Sequence, residues 1–269
     1  MKKVVYKIAA GVVAAGVLCL GYARFIEPNQ LRIVHHEIHT NDRTSTGTIA
    51  FFTDTHLGKF YSAKNLEKIT DTINQEKPDV ILFGGDFFDN YARDRETLDL
   101  TQISMELDRM QAPMGKYAVW GNHDCGGGAS RIYEETLEAG GFTVIQNEGI
   151  ALEKLGIYLW GMDDALLGKP ENPDIEDKYY RIIIGHEPDQ ADQIPEDCAD
   201  LMLAGHSHGG QISLPILTEK ILPIGAKKYK RGWYECENIN LYVSSGIGNT
   251  LLPMRFGNIP EIIILTLTP

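Results

Sequence analysis

Five short apolar runs in this chain end in the same kind of polar cluster, and that recurrence restricts its fold more than any other feature. Ile49 to Phe52 leads into Thr53-Asp54-Thr55-His56, and Val80 to Phe83 into Gly84-Gly85-Asp86. Tyr117 to Trp120 leads into Gly121-Asn122-His123-Asp124, and Ile182 to Ile184 into Gly185-His186-Glu187. Leu201 to Leu203 leads into Ala204-Gly205-His206-Ser207-His208-Gly209-Gly210. Short apolar runs read as buried strands. Ligands of open α/β sheets bind beyond the carboxyl ends of strands, so the loops are expected to meet in one crevice. Glycine before four of the motifs allows sharp turns and close backbone approach. Asp54-x-His56 and His206-x-His208 have period-two spacing, which on extended backbone points both side chains of a pair the same way.

The segments between these runs set the fold class. Lys64 to Gln75 reads as an amphipathic helix with Leu66, Ile69 and Ile73 on one face. Helices are also expected over Arg95 to Met110 and over Ser130 to Ala139, the latter capped by Ser130. Further strands are expected at Leu31 to Ile38, Phe142 to Ile145, Ile150 to Leu155, Ile157 to Trp160, Leu241 to Val243 and Glu261 to Leu267. Early strand–helix alternation followed by clustered strands predicts an α/β fold, a two-sheet mixed β-sandwich flanked by helices. The apolar share of 43% over 269 residues supplies one large core. No second domain boundary is evident within it.

The N-terminus is of another character. Lys2, Lys3 and Lys7 precede an apolar run from Ile8 to Tyr22. With Val4 to Tyr6 added and Lys7 snorkelling, the run reaches the ~20 residues a membrane-spanning helix needs. No A-x-A cleavage site follows it. The chain therefore divides into a signal anchor or transmembrane segment, residues 1–26, and a globular domain, residues 27–269. Cleavage of the segment would instead give a secreted domain. The flanking lysines place the domain outside the cytoplasm.

The formal net charge of −12 argues against nucleic acid as a partner, because phosphate backbones need clustered Lys and Arg. It leaves a phosphorylated small molecule open, since bound cations reverse the local field. Cys19, Cys125, Cys198 and Cys236 are too scattered for a CxxC zinc site or a disulfide framework.

The donors in the five motifs are Asp54, His56, Asp86, Asn122, His186, His206 and His208. Carboxylates, one amide oxygen and several imidazoles suit Mn, Zn or Fe rather than soft metals. Two divalent ions held ~3.5–4 Å apart clamp both the attacking and leaving oxygens of a phosphoryl transfer. Each motif alone is common. Together and in order they point to a two-metal hydrolase.

The ordered set resembles the calcineurin-like metallophosphoesterase superfamily, whose blocks are D-x-H, G-D-x-x-D, G-N-H-[DE], G-H and G-H-x-H. They stand here as Asp54-Thr55-His56, Gly85-Asp86-Phe87-Phe88-Asp89, Gly121-Asn122-His123-Asp124, Gly185-His186 and Gly205-His206-Ser207-His208. The resemblance implies that Asp54, His56 and His208 bind one metal ion. It implies that Asn122, His186 and His206 bind a second, and that Asp86 bridges both. His123 would face the substrate and aid the leaving oxygen, with Asp89 orienting it and stabilising its charge. The implied reaction is in-line attack on phosphorus by a metal-bridging hydroxide.

More narrowly, the anchor, Gly185-His186-Glu187-Pro188-Asp189, His208-Gly209-Gly210-Gln211 and the tail from Tyr242 to Glu261 resemble the membrane-anchored bacterial branch of that superfamily. That branch implies a phosphodiester or pyrophosphate of a membrane or envelope substrate, such as a UDP-2,3-diacylglucosamine-like molecule. Two other readings stand beside it. An amidohydrolase-type site accommodates His206-x-His208 but not Asn122-His123, and a non-catalytic metal-binding scaffold has no use for His123.

Four further features invite a role. Arg255 is a candidate substrate-binding residue, or else a surface ion-pair partner. His35-His36-Glu37-Ile38-His39 lacks H-E-x-x-H spacing and reads as a solvated strand edge. Cys125 has no neighbour that would activate a thiol. Gly126-Gly127-Gly128 reads as a mobile loop beside the site.

Overall fold

A computed structural model describes residues 2–40, 46–173, 178–214 and 218–269. The chain begins with helix α1 (Lys2–Phe25), then strands β1 (Arg32–His39) and β2 (Gly47–Phe52). Helix α2 (Ala63–Glu76), β3 (Val80–Phe83), α3 (Tyr91–Asp94) and α4 (Leu100–Asp108) follow. Next come β4 (Lys116–Ala118), α5 (Asn122–Gly126), α6 (Tyr133–Ala139), β5 (Thr143–Val144), β6 (Glu148–Leu152) and β7 (Ile157–Gly161). The last third holds β8 (Tyr180–Ile184), β9 (Leu201–Ala204), α7 (Thr218–Ile221), β10 (Gly232–Glu235), β11 (Asn240–Val243) and β12 (Glu261–Thr268).

The strands form two six-stranded mixed sheets, ordered β1-β12-β2-β3-β4-β5 and β10-β11-β9-β8-β7-β6. Period-two alternation explains the layering. Ile49, Phe51, Val80 and Leu82 pack with Ile182, Ile184, Leu201 and Leu203 in the core between the sheets. Their neighbours Ala50, Phe52, Ile81 and Phe83 turn outward onto α2, α4 and α6 through Leu66, Ile69, Leu107 and Leu137. Ile183, Met202 and Ala204 cover the outer face of the second sheet. Both faces of these strands are therefore buried, which is why they read as unbroken apolar runs. Each fully buried Ile, Leu or Phe contributes about 1.5–3 kcal/mol.

Local side-chain chemistry trims the expected elements. The helix expected from Arg95 begins only at Leu100, because the Asp99 carboxylate accepts the Gln102 N–H at 3.0 Å and caps it there. Helix α6 begins at Tyr133 rather than Ser130, with Ile132 at the cap position. The strand expected over Ile150 to Leu155 ends at Leu152, in a turn closed by Gly156 at φ 65°. Strand β10 has no counterpart in the expected set.

Helix α1 is long and apolar enough to cross a membrane. Its 24 residues span about 36 Å. Only Ala23 on it is buried. Its end meets the domain where the Arg255 N–H donates to Ala23 O at 2.9 Å and Tyr22 packs edge-on against Phe256.

The His35 to His39 segment lies on edge strand β1. His35 pairs with Glu76, His36 packs on Trp233, and His39 bonds Thr268, so the three imidazoles share no site.

Candidate metal centre

Strands β2, β3 and β4 run parallel, as do β7, β8, β9 and β11. Their carboxyl ends thus deliver loops to one region. Two donor groups assemble there, Asp54 with His56 and His208, and Asp86 with His186 and His206. In the first, His208 Nε2 lies 2.9 Å from His56 Nε2 and 3.4 Å from Asp54 Oδ1. In the second, His186 Nε2 lies 3.1 Å from Asp86 Oδ2 and 3.2 Å from His206 Nδ1. Asp86 Oδ2 is also 3.5 Å from His56 Nε2, so this one oxygen stands between the groups.

The reason the donors converge differs from the expected period-two spacing. Asp54, His56, Asp86, His206 and His208 all lie past the strand ends in left-handed backbone, with φ of 56°, 44°, 56°, 65° and 49°. Such residues cost of order 1–3 kcal/mol each and persist only where their surroundings dictate them. Here the loops lock one another. Asp54 N–H donates to Gly85 O at 3.0 Å, His56 N–H to Asp86 O at 3.1 Å and Leu57 N–H to Phe87 O at 2.7 Å. The Asp54 carboxylate accepts the His206 N–H at 3.0 Å. His206 and His208 consequently serve different groups.

The residues fit divalent cations. His186 Nδ1–H donates to Gly84 O at 2.8 Å and His206 Nε2–H to Ile224 O at 2.7 Å. Each bond commits one ring nitrogen and turns the other toward the centre, where it can bind a cation once it carries no proton. In the metal-free chain the His206 Nδ1 lone pair lies 3.2 Å from His186 Nε2, whose proton Asp86 favours, and a cation held there would displace that proton. Asn122 Oδ1 is buried without any hydrogen-bond partner, so an acceptor is left over. His208 fits less simply. Its Nδ1 faces the Arg255 guanidinium at 3.2 Å, a group that only donates, so a cation at Nε2 requires that contact to loosen.

The site's charges follow from burial and company. Burial pulls the His56 imidazole down, but the carboxylates of Asp54, Asp89 and Asp86 outweigh it and push the group up to about 9. Burial also raises Asp89, yet His56 and Arg93 hold it down at about 2. Asp124 is pushed up to about 7 by burial and by Asp86. Its carboxylate accepts the N–H groups of Phe87, Phe88 and Gly121, which ties the second motif to the third. A Cβ on Gly121 would stand 2.3 Å from Asp86 Oδ1, which explains that glycine.

His123 lines the cavity beside Asp86, Asn122, His206 and His208. Its Nδ1–H donates to the backbone carbonyl of Asp89 at 2.6 Å. The Asp89 carboxylate is 3.8 Å from that nitrogen, and instead accepts from Arg93 at 2.6 Å while lying 3.4 Å from His56 Nδ1. Asp89 thus orients His123 through its main chain.

Arg255 departs from its expected substrate role. It is fully buried, with its guanidinium donating to the carbonyls of Gly248, Ser245 and Asn258 behind His208. It does not line the cavity. The Gly126 to Gly128 segment continues the turn of α5, with Gly127 buried and its carbonyl accepting from Ala92 at 3.0 Å. Burial pushes the Cys125 thiol up to about 12, so it stays a thiol.

Two loops that carry no donor complete the centre. Ser244 to Asn249, after β11, packs on the first motif through Ile247 N–H to Thr53 O at 3.1 Å. Met162 to Gly168, after β7, holds Leu166 at the cavity. The first was signalled by an apolar run ending in Ser244-Ser245-Gly246-Ile247-Gly248, and the second by Gly161-Met162-Asp163-Asp164.

Comparison with known proteins agrees with this geometry. Residues 47–210 match the family model of the calcineurin-like phosphoesterases. The chain is 35% identical to metallophosphoesterase YkuE of Bacillus subtilis, over 96% of this chain and 94% of that one. It is 30% identical to phosphodiesterase YaeI of Escherichia coli, over 92% of both. A metallophosphoesterase of Aquifex aeolicus is 28% identical over 92% of this chain and 96% of its own length. With its two donor groups at the strand ends, this chain belongs to the calcineurin-like phosphoesterase family and is a hydrolase of phosphoric esters.

Proposed function

We propose that residues 27–269 form a binuclear metal-dependent phosphodiesterase domain that residues 1–26 anchor to a membrane, with the domain outside the cytoplasm. Its substrate is a phosphodiester or pyrophosphate of a membrane or envelope molecule. Similarity to the phosphodiesterase YaeI and the apolar, exposed α1 support this reading. The observation that carries the chemistry is Asp86 Oδ2, standing 3.1 Å from His186 and 3.5 Å from His56 between two donor groups.

In this reading Asp54, His56 and His208 hold one cation, Asn122, His186 and His206 the other, and Asp86 both. Mn, Zn or Fe ions suit these donors. When bound, two such cations neutralise the phosphoryl oxygens and acidify water. The chain's own work is positioning and proton transfer. Asp86 Oδ1 accepts the His123 N–H at 2.8 Å, which ties the bridging carboxylate to the third motif. With Nδ1–H held by the Asp89 carbonyl, it is the imidazolium form of His123 that carries a second proton on Nε2, which it would give to the departing oxygen. An amidohydrolase would leave the Asn122–His123 pair without a use.

The test strips the full-length protein with a chelator and restores Mn, Zn or Fe(II) in turn. Turnover of bis(p-nitrophenyl) phosphate in excess of p-nitrophenyl phosphate is expected, with loss of metal binding and rate in Asp86→Asn. Turnover of the monoester alone would overturn the diester assignment. No turnover of either with any metal would overturn the metal-dependent mechanism.

A further inference from the structure

The cavity lined by Asp86, Asn122 and His123 has a volume of about 480 Å³ in all. That is room for a substrate part well beyond one phosphate. Beside the donors the cavity is lined by Leu166, Ile212, Ile221, Ile224, Leu251 and Leu252, with the polar Ser207, Gln211 and Thr250 among them. Among the described residues, no Lys, Arg, Phe, Tyr or Trp lines it. A nucleobase would want an aromatic face or paired polar edges, and a second phosphate would want a cation. The wall has no aromatic face and no cation, and its polar groups are engaged within the protein, Gln211 with Thr250 and Leu252, and Ser207 with the Lys230 carbonyl.

These apolar side chains are held outward. Leu251 is 92% exposed, Ile224 73%, Ile221 55% and Leu252 54%. Leu251 sits in left-handed backbone at φ 52°, a conformation a β-carbon disfavours. The Leu166 loop is fixed from below. Asp164 Oδ1 accepts the N–H groups of Leu166 and Leu167 at 3.0 and 2.6 Å, and Glu187 Oε2 accepts that of Ala165 at 2.9 Å. Both leucines of this turn stay exposed while the carboxylates that hold it, Asp164 and Glu187, are buried. Gln211 Nε2 likewise holds the Thr250 and Leu252 carbonyls at 3.0 and 2.7 Å. A cluster of exposed apolar groups held by buried polar ones marks a binding surface.

The same loop runs on to Arg255 and Phe256, where α1 joins the domain through Ala23 and Tyr22. The apolar wall therefore lies within one short loop of the helix that is apolar enough to enter a membrane.

We propose that this wall binds an aliphatic chain of the substrate, so that the scissile phosphodiester belongs to an amphiphile rather than to a nucleotide. The proposal rests on the phosphodiesterase reading. The phosphate sits at Asp86 and Asn122, and the chain leaves along Ile224 and Leu252. A bilayer lipid and a soluble amphiphile present the same chemistry, and the experiment separates them.

The full-length protein, in lipid nanodiscs and loaded with Mn, is titrated calorimetrically with methylphosphonate and octylphosphonate. Partial burial of each of the seven added methylenes should strengthen binding roughly twofold per group, so octylphosphonate should bind about 100-fold tighter. In the double variant Ile224→Asp/Leu252→Asp that ratio should fall toward one. In Met105→Asp, a surface change on α4, it should stay near 100. Equal binding of the two phosphonates by the unaltered protein would overturn the proposal even with hydrolysis intact. An unchanged ratio in the double variant would overturn it as well. Absence of turnover would overturn the phosphodiesterase reading alone, because the binding comparison needs none. Hydrolysis of a phosphodiester lipid embedded in the same disc would identify the bilayer as the source. Hydrolysis of octyl p-nitrophenyl phosphate alone would identify a soluble amphiphile.

Discussion

The Nδ1–H of His123 donates to the main-chain carbonyl of Asp89 at 2.6 Å, while the Asp89 carboxylate turns toward His56 and Arg93. One residue thus supports two imidazoles by different groups. Removing its charge should act on the His56 side. Asp89→Asn is expected to raise the Mn concentration for half-maximal rate by about 10- to 100-fold, the usual cost of losing a group behind a metal ligand. The rate at saturating Mn should change little. A lowered saturated rate with unchanged metal affinity would show that the carboxylate serves His123 after all.

His123→Ala should leave metal binding in place and lower the rate by about 10²- to 10⁴-fold, the range of general acid catalysis. The loss should depend on the leaving group. A p-nitrophenolate departs without a proton, whereas an alkoxide needs one. The comparison is of methyl p-nitrophenyl phosphate with a dialkyl phosphate, in protein and variant. Equal losses on both would remove His123 from the role of proton donor.

The centre was legible because its donors are of rare types in a fixed order, each after an apolar run. Burial on both faces of β2, β3, β8 and β9 wrote those runs into the sequence. The local geometry was not legible. Asp54 and His56 converge through left-handed backbone imposed by hydrogen bonds they donate to the carbonyls of Gly85 and Asp86, some thirty residues away. No spacing rule encodes a contact of that range. Arg255 misled for the same reason: an arginine near an expected phosphate site looks like a ligand until its three carbonyl acceptors are known. The exposed Leu251 and Ile224 carry no motif at all, and only their position beside the cavity gives them meaning.

Metal uptake should release protons. In the metal-free chain, against the pull of burial, His56 is held up to about 9 by Asp54, Asp89 and Asp86, and His186 well above the usual imidazole range by Asp86, Glu187 and Asp54. A ligand nitrogen must lose its proton first. Below about 9 each unit of falling pH should therefore weaken Mn binding roughly tenfold for His56 alone, and the dependence should level off above it. The sign for stability is opposite. A raised imidazole favours the metal-free fold fully below its unfolded value of 6.5, and that contribution fades as pH rises through about 9. Calorimetry of Mn binding at pH 7, in buffers of different ionisation enthalpy, checks this through the protons released. A binding constant flat between pH 6 and 9 would refute it.

Arg255 separates a structural from a substrate role most sharply. Its guanidinium is wholly enclosed, burial lowers it to about 10, and the carbonyls of Gly248, Ser245 and Asn258 accept from it. Those carbonyls belong to the loops that back Asp54 and His208, and no other described cation is bonded to them. Arg255→Ala would strand them in a dry interior and open a void. Breaking such a buried charged network costs about 3–5 kcal/mol. The expected result is a lower unfolding midpoint in denaturant for the metal-free protein, with the slope unchanged. KM measured on the folded fraction should stay near that of the unaltered chain, because nothing in the cavity has been removed. A substrate-binding arginine would give the reverse pattern, a raised KM at unaltered stability. The two readings therefore differ in which measurement moves.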